Sequence, residues 1–143
     1  MLTSSPKAFQ PGKPFGALET WKKLSPLMVD DILMFSEKAS KLDSSDELEM
    51  KEVRQETYAA SGQFAKGTNI EEGIVRLVSQ NNQIQEGYFS GGKLNGFGRI
   101  CYQHGDYYIG MYKNYLRHGH GKLVRANGQV QEGQFADNDF IGL

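Results

Sequence analysis

Apolar and polar positions follow two different rhythms along this chain. Met28, Ile32, Phe35, Ala39 and Leu42 recur at spacings of 4, 3, 4 and 3, which places them on one face of a helix. Ser25 and Pro26 stand just upstream as N-cap and first helical residue. A second helix is predicted from Ser44, where Ser44 and Glu47 have capping-box form, to Tyr58, with Leu48, Met50 and Val53 as its apolar positions. Beyond Tyr58 the period becomes two. Around Tyr108 to Lys113 and Lys122 to Arg125, alternation with aromatic and β-branched residues favours strands. Ser90 to Asn95, Asn114 to Gly119 and Ala126 to Gly128 are rich in Gly and Asn, which tolerate positive φ and mark turns.

The alternating region repeats itself. Gln85-Glu86-Gly87-Tyr88-Phe89, Tyr108-Ile109-Gly110-Met111-Tyr112 and Gln131-Glu132-Gly133-Gln134-Phe135 share glycine at the third place and a ring at the fifth, with a period of 23 residues. Gly96 and Gly98 return as Gly119 and Gly121, and Gly142 opens the next pair. Upstream, Gly62 and Gly73 keep the 11-residue spacing of Gly87 and Gly98, which implies a first repeat two residues longer with Glu71 in place of a glycine. Glycine inside a strand is unfavourable by itself. Its return beside aromatics predicts that the ring of a neighbouring strand lies flat on the bare backbone. The fold expected is mainly β: an elongated single antiparallel sheet of stacked hairpins, each adding roughly 9.6 Å, preceded by an extended leader and one or two α-helices. The boundaries follow as a Pro/Gly-rich leader over 1–24, a helical arm over 25–58 and about 3.5 repeats over 59–143.

The strings at 86–98 and 108–121, with His118-Gly119-His120-Gly121 as the fullest match, resemble the MORN repeat, whose pattern is a Tyr-Glu-Gly-x-aromatic start and a His-Gly-x-Gly centre. Gln85 and Gln131 depart from the leading tyrosine, and Asn95 from the histidine. The resemblance covers about residues 58–143 and implies a binding or structural module. Proteins of this kind include junctional membrane proteins, lipid and protein-modifying enzymes whose catalysis lies in another domain, and cytoskeletal, radial-spoke and other axonemal subunits.

Composition narrows the chemistry. Sixteen Lys and Arg against 17 Asp and Glu give a net charge of -1, so no overall field favours nucleic acid. Cys101 is the single cysteine, which rules out an internal disulfide and fits a reducing compartment. No apolar run has signal-peptide or membrane-spanning length, so a cytoplasmic protein without a transmembrane segment is expected. Gly87 to Leu94 approaches a phosphate loop but lacks the hydroxyl residue after Lys93 and the helix that would follow. His104, His118 and His120 have no carboxylate placed to orient a metal site. No nucleophile, base and oxyanion donor converge. Neither catalytic residues nor a metal nor a cofactor is therefore expected, and the chain is read as a non-enzyme.

Contact is the expected role. The anchors predicted for other protein subunits of a large complex are Phe9, Phe15, Leu18 and Trp21 in the leader, Met28, Ile32 and Phe35 on the helix, and Tyr88, Phe89, Tyr108, Tyr112 and Phe135 on the ribbon. Lys93, Arg99, Lys113, Arg117, Lys122 and Arg125 face only Glu86 and Asp106 in the same stretch, a local basic excess suited to an anionic lipid or an acidic protein. By family analogy the leading expectation is a cytoskeletal or ciliary axonemal scaffold, with a membrane-associated lipid adaptor as the alternative.

Overall fold

A computed structural model describes Ile32 and residues 47–143. Nine strands follow one another: β1 (Leu48–Arg54), β2 (Tyr58–Ala65), β3 (Glu71–Ser79), β4 (Ile84–Ser90), β5 (Lys93–Cys101), β6 (Tyr107–Lys113), β7 (Leu116–Val124), β8 (Val130–Ala136) and β9 (Asp139–Gly142). Each pairs antiparallel with its sequence neighbours, giving one open sheet in the order β1 to β9. The mainly β ribbon expected from the repeats is the fold observed.

The expected second helix is not formed. Leu48–Arg54 is strand β1, paired with β2 from Leu48↔Ala65 to Arg54↔Ala59. The stretch also alternates, with Val53 turned to the buried face and Met50 left 73% exposed on the other. Edge pairing with β2 supplies a full ladder of backbone hydrogen bonds, which outweighs a local capping signal. Phe9, Phe15, Leu18, Trp21, Met28, Phe35, Ala39 and Leu42 lie outside the described residues. Ile32 is helical.

The hairpin turns are shorter than the Gly/Asn segments suggested. Gly91 and Gly92, Asn114 and Tyr115, and Asp137 and Asn138 form two-residue connections in which both φ angles are positive, for example 50° and 74° at Asn114 and Tyr115. That is the primed turn whose twist matches that of the flanking strands. Each is tied to the repeat before it: the amides of Gly92, Tyr115 and Asn138 donate to the carbonyls of Glu71, Leu94 and Arg117 at 3.0, 2.8 and 2.9 Å. The stretches Asn95 to Gly98 and His118 to Gly121 therefore belong to β5 and β7, not to turns.

Register corrects the reading of the first repeat. Gly87 faces Gly98 and Gly110 faces Gly121, but Gly62 faces Val75. Gly73 instead pairs with Phe89, as Gly96 pairs with Tyr112 and Gly119 with Phe135. The two extra residues sit in the β2–β3 connection, which runs over 66–70. Glu71 thus holds the register of Leu94, Arg117 and Phe140, each opposite the ring at the fifth place, and not that of a glycine.

Alternation gives the ribbon two unlike faces. One carries a continuous core of Val53, Ala60, Phe64, Val75, Phe89, Leu94, Ile100, Tyr108, Tyr112, Leu123 and Phe135, reaching from β1 to β8. The rings of Tyr108 stand edge-on to those of Tyr112 and Phe135, with centroids 5.1 Å apart in both pairs. The opposite face carries two smaller clusters, Val78 with Ile84 and Cys101, and Ile32 with Tyr88.

Candidate functional site

Glycine in step with rings is the feature that builds the inner face. Tyr108 on β6 projects across to β7 and its phenol lies on Gly121, where a Cβ would overlap the ring and its oxygen. The Tyr108 hydroxyl donates to the Met111 carbonyl at 3.0 Å. The close approach of a ring to bare glycine backbone, expected from the spacing, is present here. In the preceding repeat Gln85 replaces the tyrosine, and the Leu94 side chain comes over Gly98 instead.

The five ribbon anchors named from the sequence are core residues. Tyr88, Phe89, Tyr108, Tyr112 and Phe135 are all buried. A sheet one layer thick has few other atoms with which to cover its own backbone, so its rings are consumed in packing along the ribbon. Ile32 is 3% exposed and packs on Tyr88, against the half-buried Ile74 and Phe97. Its place on the helix stripe is thus met by the sheet of the same chain.

The six cations divide into two groups. Arg99 is buried and ion-paired with Glu86, which also accepts from Arg76 Nε at 3.1 Å. This cross-strand trio, Arg76 on β3, Glu86 on β4 and Arg99 on β5, neutralises charge beside the apolar clusters of the outer face. Arg117 lies over the rings of Tyr108 and Phe135, at 5.9 and 5.8 Å, and donates to the Tyr102 hydroxyl at 3.2 Å and the Asn138 carbonyl at 2.8 Å. Arg125 pairs with Asp106 at 3.3 Å. Lys93 and Lys113 are exposed beside successive hairpin turns, while Lys122 is half-buried on β7. The basic stretch of the sequence is therefore not one continuous patch.

Burial also holds the thiol and several phenols in their protonated form. The Cys101 thiol is pushed up to about 12, chiefly by desolvation, with Glu86 adding to the rise and Arg99 opposing it. Desolvation likewise raises the phenol of Tyr108 to about 12 and holds those of Tyr102 and Tyr112 above their ordinary value. His118 Nδ1 lies 3.6 Å from the Asp137 carboxylate across the β8–β9 turn, and no group of three metal-ligating side chains occurs among the described residues.

Sequence reasoning missed Glu71. It is buried at the start of β3, and burial raises its carboxyl above the usual range. The register of the first repeat is the signal that exposes it, and that register is visible only once the sheet is assembled.

A family model described as the MORN repeat matches residues 86–107 and 108–130. Each matched stretch takes in most of a hairpin, β4–β5 or β6–β7, with the whole of the connection that follows it. No curated protein matches the chain. No helix among the described residues is long and apolar enough to cross a membrane.

Proposed function

We propose that this MORN-repeat protein is a non-catalytic scaffold subunit that holds other proteins together in a large assembly of the cytoskeleton or a ciliary axoneme. MORN repeats are in general non-catalytic modules of protein or membrane contact, and that coarser role is the starting point. The observation that carries the finer reading is how the ribbon uses its residues. Among the described residues most rings form the core, burial holds the Cys101 thiol and the Tyr108 phenol neutral, and the surface presents strand edges, turns, polar side chains and single apolar residues such as Met50, Ile70 and Ile141. Such a surface suits the orientation of partner proteins.

The alternative is an adaptor on anionic lipid. Arg99, Arg117 and Arg125 are engaged within the chain, which leaves Lys93, Lys113 and Lys122 to meet a charged surface. At roughly 1 kcal/mol per basic residue near an anionic membrane, three lysines give weak and salt-sensitive attachment. Fractionation of cells expressing the tagged full chain, beside co-sedimentation with vesicles containing phosphoinositide, separates the two. The scaffold reading expects retention in the salt-resistant cytoskeletal pellet and no vesicle binding at moderate salt. Vesicle binding lost on adding salt, with a fully extractable protein, overturns it in favour of the adaptor.

A further inference from the structure

Among the described residues, an open groove of about 460 Å³ runs along β3, bordered by Tyr58, Glu71, Leu77, Ser79, Asn81 and Gly92. Its position is instructive because the repeat fills the same register elsewhere. Two repeats on, the residue equivalent to Glu71 is Arg117, whose guanidinium rests over rings and reaches the Tyr102 hydroxyl. Tyr102 in turn follows Ser79 by one period of 23 residues. Ser79, one repeat before Tyr102, and the carboxylate of Glu71, two repeats before Arg117, both border the open space.

Glu71 is only 7% exposed, and no cation among the described residues pairs with it. A buried carboxylate without a cation is unfavourable, which its raised pKa reflects. Tyr58 and Leu77 provide an aromatic and an aliphatic wall next to it.

We propose that this groove receives an arginine side chain of a partner protein, with the guanidinium paired to Glu71 and the aliphatic stem along Leu77 and Tyr58. A planar guanidinium pairs a carboxylate through two parallel hydrogen bonds and also lies over rings, and the chain already uses the second contact internally at Arg117. Pairing favours the charged carboxylate, so uptake of the cation releases a proton and strengthens as pH rises through the raised pKa of Glu71. The assignment rests on the scaffold reading and gives the partner a chemical feature.

The test is an NMR titration of the full chain with Nα-acetyl-arginine methylamide, beside the citrulline analogue, which has the same length and no charge. The amides of Glu71, Leu77 and Gly92 should shift and saturate with the arginine probe, with the citrulline probe at least about tenfold weaker. Glu71→Gln should lose the same factor while its spectrum stays that of the folded sheet. Ser79→Tyr, which refills the groove, should block the probe independently. Equal affinity for the two probes, no shift with arginine, or unchanged binding by both variants would overturn the assignment. If arginine fails to bind while the protein stays in the salt-resistant pellet, the groove is wrong and the scaffold reading stands; if both fail, both are wrong.

Discussion

The phenol of Tyr108 lies on the backbone of Gly121, in the volume that any side chain at 121 would need. This contact joins β6 to β7 and sets the ring that Tyr112 and Phe135 pack against. Gly121→Ala should therefore destabilise the ribbon by about 1–3 kcal/mol, the usual cost of overpacking. In urea unfolding, the double variant with Tyr108→Ala should be less impaired than the two single losses summed. Strict additivity would show that ring and glycine do not constrain each other.

The Glu86 carboxylate sits between Arg76 and Arg99 on the outer face, with little access to water. Removing Glu86 takes the shared carboxylate from both arginines, whereas removing Arg99 leaves Glu86 paired with Arg76. Glu86→Ala is expected to cost about 3–5 kcal/mol, and Arg99→Ala less. Chemical denaturation measures both, and a loss below about 1 kcal/mol for Glu86→Ala would show that the pair is effectively solvated.

Alkaline pH should weaken the fold. Cys101 and Tyr108 rise from ordinary values of 9.0 and 10.0 to about 12 each in the folded chain, and Tyr102 and Tyr112 move the same way. Between the unfolded and folded values the native state holds more protons than the unfolded one, so stability falls as pH rises. The decline starts near pH 9 with Cys101 and steepens above 10 as the tyrosines join. Urea midpoints recorded from neutral to alkaline pH should follow this course, and Cys101→Ala should remove its first part. The same thiol should resist maleimide in the folded protein and react once unfolded; rapid labelling of the native chain would place it at the surface.

The order of the repeats was readable because glycine and ring residues leave a periodic trace at Gly87, Gly110 and Gly133, and period-two alternation follows directly from strand geometry. Two features were not. Ser44 and Glu47 gave a helix-start signal, yet the following residues pair with β2, a contact between segments that no local pattern reveals. Gly73 had the right spacing to face Gly62, but an insertion in the β2–β3 connection put Val75 there. Among site residues, the rings stand out in the sequence, but their burial in the sheet does not. Composition cannot distinguish an aromatic that meets a partner from one that covers the backbone of a single-layer sheet.

Ile32 meets Tyr88 on the outer face and is the described point at which the helical stripe touches the ribbon. Ile32→Ala should cost about 2–4 kcal/mol if this seat is fully packed in solution. Hydrogen exchange should then quicken in β3 to β5, which carry Ile74, Tyr88 and Phe97, more than in β8 and β9. Uniform change along the sheet would mean that the contact is not local.

The register of the ribbon is tested most directly by cross-strand Hα–Hα contacts in the NMR spectrum of the full chain. Strong contacts are expected for Gly87 with Gly98, Gly110 with Gly121, and Gly62 with Val75. Contacts of Gly62 with Gly73 in place of Val75, or helical sequential contacts after Tyr58, would contradict the stacked-hairpin sheet and the contact function built on it.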